Sequence, residues 1–155
     1  MPTKPAAFTP KDPGFDARVR ASFDRQRAMS TLGVRIVSLE PGAIELEMPY
    51  SADYSQQHGF IHAGIISAAL DSACGYAAFS LMPAEVAVLT VEFKINLVAP
   101  AAGERFRFRA RVVKPGRTIT VCDGQAIAVQ GGSEKLIATM SGTLMAVEER
   151  GAITQ

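Results

Sequence analysis

The sequence contains no tryptophan, two cysteines and two histidines, and each scarcity narrows what the chain can be. Cys74 and Cys122 are too few for a disulfide framework and lack the spacing of a metal site. Two reduced thiols buried among apolar neighbours are expected. An excess of one charge sign is also missing: 16 Lys and Arg stand against 15 Asp and Glu, a net charge of +1. No overall field therefore favours nucleic acid or an anionic membrane as partner. The opening residues MPTKPAAFTPKDPGFD hold no apolar run of the kind a secretory signal carries and do not read as a transit peptide, so a cytoplasmic location is expected. The most informative absence is internal. From Tyr54 through Ala84 there is no Lys, Arg or Glu, and the single carboxylate is Asp71, set among Ala, Ile, Leu, Gly and Ser. A charge taken out of water without a partner is costly, so Asp71 needs a reason to be there.

What is present is ordinary for a globular chain: 155 residues, 48% hydrophobic and 20% charged, which is the size of one domain with its own core. Residues 1–14, rich in proline, read as a mobile arm. Residues 15–148 read as one domain and 149–155 as a tail. FDARVRASFDRQRAM reads as an amphipathic helix, because Phe15, Val19 and Phe23 recur every fourth residue. Its Arg18, Arg20, Arg25 and Arg27 read as a solvated face. GVRIVSLEPGAIELEMPY gives two alternating runs about Pro41-Gly42, a hairpin. Ala63 to about Ser80 has no polar face, so as a helix it must be covered on most sides. A membrane span over Ala63 to Leu81 is opposed by Asp71 at its centre and by the many small residues.

Downstream, EVAVLTVEFKINL, ERFRFRARVV, RTITVCDGQAIAVQ and EKLIATMSGTLMAV read as four strands. In the first, strict alternation puts Ala87, Leu89, Val91, Phe93, Ile95 and Leu97 on the buried face and Thr90 on the opposite one. In the second, Arg105, Arg107, Arg109 and Arg111 form the solvated side. The order of helix, hairpin, long helix and four strands is an α+β pattern with an antiparallel sheet.

Chemistry should sit where QQHGFIHAG turns into the long helix. The first N–H groups of a helix have no partners within it, and its dipole favours negative charge, so this terminus can receive a developing oxyanion. Acyl hydrolysis needs such donors together with a base or nucleophile. Asp71 lies nine positions beyond His62, roughly 11 Å past the helix start or more at 1.5 Å per residue, so one helix cannot easily bring both to one carbonyl. A second copy packed antiparallel beside the first could. Taken singly, His62 also reads as a simple helix cap, and Asp71 as a paired structural charge.

The run Gln56-Gln-His-Gly59-Phe-Ile-His62-Ala-Gly64 followed by Asp71, together with TVEFKINLVAPAAGE, VVKPGRT and EKLIATMSGTLM, resembles the hotdog-fold acyl-CoA thioesterases of the phenylacetate-pathway (PaaI) type. The resemblance covers about residues 30 to 147. It implies a hotdog fold, in which an antiparallel sheet wraps the long helix, here with an extra N-terminal helix. It also implies pairing of two copies into a homodimer, and often two dimers into a homotetramer, with active sites across the interface. By similarity, Asp71 is the catalytic nucleophile or general base. Ala63 supplies the backbone N–H that polarises the thioester carbonyl, His62 and Gly64 hold that turn, and Gln56 orients water or the acyl group. Gly59 and Thr90 match substrate-side positions, and Gly116, Arg117 and Thr118 match a turn that contacts coenzyme A. The sequence departs from the family at His-Ala-Gly, where His-Gly-Gly is common, and at Gln56, where Asn is usual.

The implied activity is hydrolysis of a small or medium acyl- or aryl-CoA, with coenzyme A as the substrate's handle and with no metal, cofactor, nucleic acid or membrane involved. A non-catalytic acyl-CoA-binding protein is the alternative, and it leaves Asp71 unexplained. A hotdog dehydratase would need a second, differently placed His.

Overall fold

The computed structural model describes residues 7–155. In chain order the elements are α1 (Phe15–Arg25), α2 (Arg27–Leu32), β1 (Arg35–Glu40), β2 (Ala43–Pro49), α3 (Ala63–Phe79), β3 (Val86–Leu97), β4 (Arg105–Lys114), β5 (Ile119–Gln130) and β6 (Ser133–Glu148). A short 3₁₀ turn at Ala52–Tyr54 precedes α3. The strands form one antiparallel sheet in the order β1-β2-β4-β5-β6-β3. No helix among the described residues is long and apolar enough to cross a membrane.

The sheet wraps α3, and alternation decides what it offers. Phe106, Phe108, Ala110 and Val112 of β4 are buried on the helix side, each large side chain contributing about 1.5–3 kcal/mol of burial. The intervening Arg residues lie on the outer face, as anticipated. There Arg109 Nε reaches Glu45 at 2.6 Å and its Nη2 reaches Glu134 at 2.9 Å, while Arg107 Nε meets Glu47 at 3.2 Å. The small residues of α3 permit close approach. A Cβ built on Gly124 of β5 would lie 2.9 Å from Leu70 Cδ1 and 3.1 Å from Cys74 Sγ, so the strand sits against the helix only because that Cβ is missing.

Three expectations are corrected. The N-terminal helix is broken at Gln26 (φ −80°, ψ 91°) into α1 and α2. Gln26 spends its side-chain oxygen on the Ser72 hydroxyl of α3, at 3.2 Å. Arg18 is not part of a solvated face. Its Nη2 donates to the carbonyls of Met82 (2.8 Å) and Phe79 (3.3 Å), and its guanidinium carbon stands 4.2 Å from the Phe79 ring centroid. It thereby caps the end of α3 with a cation, where the helix dipole favours one.

The third correction concerns β3. Its pairing with β6 runs Thr90 to Leu144 and then Glu92 to Thr143, leaving Val91 as an extra residue. Such a bulge reverses which face the following residues occupy. Below it Val88 and Thr90 oppose the helix-facing Ala146 and Leu144; above it Phe93 and Ile95 oppose Gly142 and Met140. The strand's apolar set is consequently not one buried face: Leu89 is 47% and Val91 54% exposed.

Residues 1–6 of the expected arm lie outside the described residues. Phe8 packs against the core, and the Lys11 amide hydrogen-bonds to the Leu81 carbonyl.

Candidate active site

The loop before α3 is held by its own backbone. Gln56 N donates to Phe60 O at 2.8 Å, Gly59 N to Gln56 O at 3.0 Å, and His62 N to Tyr54 O at 2.9 Å. The Gln56 side-chain oxygen accepts from His58 N, which directs its NH₂ away from that bond. Gly59 turns the loop at φ +85°. His62 is the N-cap: its Nδ1 accepts from Gly64 N at 2.9 Å, so this nitrogen is the unprotonated one and Nε2 carries the hydrogen. The amides of Ile65 and Ile66 are taken by the His62 carbonyl. Among the described residues the Ala63 N–H makes no hydrogen bond. Ala63 lines, with Gln56, Phe60 and His62, a cavity of about 610 Å³. A lone amide at the positive end of a 17-residue helix is suited to an oxygen that gains negative charge.

Asp71 lies two turns further along the same helix, half-buried. Burial pushes its carboxyl pKa above the ordinary aspartate value, and a hydrogen bond from Thr90 opposes that rise. Thr90 Oγ1 donates to Asp71 Oδ1 at 2.8 Å. Strict alternation would have turned Thr90 away; the Val91 bulge turns it toward the helix. Beside the pair is a second cavity of about 100 Å³, walled by Gln26, Ser72, Gly75, Tyr76, Val88 and Gln155. No local pattern marks Gln26 or Gln155 as neighbours of Asp71, because tertiary folding brings them in from the two ends of the chain.

The two groups do not meet within one chain. Eight residues separate Ala63 from Asp71 along α3, about 12 Å of rise, and the two cavities have no lining residue in common. The turn of Gly116, Arg117 and Thr118 lies at the Asp71 end of the sheet, since Thr120 and Thr90 both pair with Leu144. Its three residues are exposed. Thr118 O accepts from Ala146 N at 2.8 Å. The thiols take no part. Burial pushes Cys122 up to about 12 and raises Cys74 as well, leaving neither as a ready nucleophile.

Residues 58–135 match the model of the thioesterase superfamily. The chain belongs to the thioesterase superfamily. Its fold agrees with that membership. A thioesterase family protein from Silicibacter pomeroyi is 62% identical, with a TM-score of 0.87 over 88% of this chain and 100% of that one. The PaaI protein of the E. coli phenylacetic acid degradation operon, at 22% identity, matches in fold with a TM-score of 0.77 over 86% of this chain and 93% of its own. Two Saccharolobus solfataricus proteins whose names class them as candidate esterases are also related. One is 34% identical over 92 residues, which are 59% of this chain and 65% of that protein's length; the other is 27% identical over 139 residues, 90% of each. The hotdog architecture anticipated from the sequence is thus the one found, and thioester hydrolysis is the reaction of this superfamily enzyme.

Proposed function

We propose that this thioesterase hydrolyses a small or medium acyl- or aryl-coenzyme A to the free acid and coenzyme A, in a site shared by two copies of the chain. The carrying observation is the pair of incomplete halves: an unengaged amide at the start of α3 and a desolvated carboxylate two turns along. An antiparallel second copy would bring the Ala63 amide of one to the Asp71 of the other. The surface supports that partner. Gly64, Ala68, Asp71 and Gly75 recur at helical spacing on a stripe of α3 that its own sheet leaves open. Beside it β3 pairs, among the described residues, only with β6 and exposes Leu89, Val91 and Phe93, an apolar edge of the kind that pairs with another strand.

In this reading the thioester oxygen lies against the Ala63 N–H, so charge developing on it in the tetrahedral intermediate is stabilised by an amide and a helix dipole already aimed. Asp71 either attacks the carbonyl carbon, expelling the thiolate of coenzyme A and forming a mixed anhydride that water then hydrolyses to the free acid, or takes the proton of a water that attacks the carbonyl carbon and expels the thiolate directly. Thr90 holds the carboxylate in position. Gln56 has its NH₂ free for the acyl side or water. In the same reading Gly116, Arg117 and Thr118, exposed at the Asp71 end, meet the coenzyme A portion.

The test is Ala63→Pro against Ala63→Gly, by thiol release from a panel of acyl-CoAs. Ala63 is the first helical residue, where proline fits because its missing N–H breaks no internal bond. His62, at φ −58° and ψ 137°, already has the extended conformation that a residue before proline requires. Ala63→Gly, which keeps the donor, should stay within a few-fold of wild type. Ala63→Pro should fold normally and lose about 10²–10³ in kcat. A fully active Ala63→Pro enzyme would overturn the assignment.

A further inference from the structure

The superfamily match spans residues 58–135, yet the cavity beside Asp71 is walled in part by residues outside it, Gln26 and Gln155. Gln26 is the residue that breaks the N-terminal helix, and it reaches α3 through Ser72. Gln155 arrives from the other direction. The chain beyond β6 turns back through a bridge between Arg150 and Ile153 and sets Gln155 between α1 and β3. Both ends of its side-chain amide are engaged: Oε1 accepts from Val88 N at 3.0 Å, and Nε2 donates to Ser22 Oγ at 2.8 Å. Its backbone is engaged as well, with N donating to Glu149 Oε1 at 2.9 Å and its carbonyl accepting from Arg25.

A residue held at four points, two of them on its side chain, cannot swing that side chain aside for a ligand without losing hydrogen bonds to groups on two elements. With its amide atoms committed to protein partners, Gln155 meets whatever enters the cavity as a fixed wall. On the reading of Asp71 as the group that attacks the thioester, the space next to it is where the acyl group extends.

We propose that Gln155, delivered by the 149–155 turn and seated between Ser22 and Val88, is a specificity-determining residue that sets the size of acyl group accepted beside Asp71. The cavity is walled mostly by polar side chains, so Gln155 acts on size: a methylene that a pocket admits or refuses is worth roughly 10–200-fold, and removing the wall should change which acyl groups react without changing the chemistry performed on them.

The experiment compares wild type, Gln155→Ala and a chain ending at Glu148, each checked for folding by circular dichroism, with kcat/KM measured on acyl-CoAs graded from acetyl to long-chain and aryl. The expected result is a gain of about tenfold or more for acyl groups just beyond the wild-type limit, through KM more than kcat, with the shortest substrates changed little. The shortened chain should show the same shift, and it reports on the proposal should Gln155→Ala fold poorly. An unchanged substrate ratio in the folded variants, or an equal loss on every substrate, overturns the role of Gln155 and leaves the thioesterase reading intact. A wild type that releases thiol from no member of the series overturns both.

Discussion

Asp71 costs the fold something that a residue kept for packing would not. Its carboxyl has a higher pKa in the folded protein than in the unfolded chain, because burial disfavours the charge more than Thr90 favours it. The folded state therefore holds the proton over a pH range in which the unfolded chain has released it. The contribution to stability is full below the unfolded pKa and is lost as pH rises through the folded one. Asp71→Asn should accordingly raise the thermal midpoint at about pH 7, with the gain shrinking toward about pH 4, while turnover falls about 10²-fold or more; a lower midpoint at neutral pH would count against this account. Thr90→Val removes a bond that stabilises the carboxylate, so the acid limb of the kcat/KM profile should move to higher pH. A limb that stays in place would show that Thr90 does not tune Asp71. At this scale the sequence was legible where signals are local: the lone carboxylate and the His62 cap can both be read from a few neighbouring letters. Gln155 could not be read that way, since its meaning depends on Ser22 and Val88, which only the fold brings near.

Among the elements, the hairpin and all four later strands follow from periodicity, since burial of one face enforces it, whereas the long helix follows from an unbroken run of apolar and small residues with no polar face. The misses are places where a tertiary contact outweighed the pattern. The N-terminal helix keeps its four-residue repeat up to Gln26, then breaks where that side chain bonds to Ser72. Strand β3 alternates without interruption on paper, yet one of its residues is left out of the ladder, and alternation alone cannot say where a bulge will fall. The β4–β5 turn adds a different constraint. A Cβ on Gly116 would lie 2.0 Å from the Ile119 carbonyl oxygen, so Gly116 has a steric reason to be glycine whatever it does for coenzyme A. Gly116→Ala should lower stability by about 1–3 kcal/mol as the turn is forced open, measurable by urea unfolding; an unchanged midpoint would mean that the turn relaxes freely.

For the whole molecule, the shared site makes a prediction that no single chain can satisfy. Asp71→Asn and Ala63→Pro should each be nearly inactive alone. If one site takes its acid from one copy and its amide from the other, a mixed pair contains one intact site and one doubly defective site. Unfolding the two variants together and refolding them should recover about a quarter of the wild-type activity, as random pairing in a two-fold dimer requires. No recovery would place both groups' action within one chain. The ladder of Arg107 and Arg109 with Glu45, Glu47 and Glu134 has its own consequence at this scale. Because these guanidinium groups are neutralised by neighbours on the same face, this part of the sheet's outer face is a poor lure for a phosphate-bearing molecule. A polyanion approaching from bulk water gains little guidance there, and its capture falls to unaided diffusion and to whatever the mouth of the cleft provides.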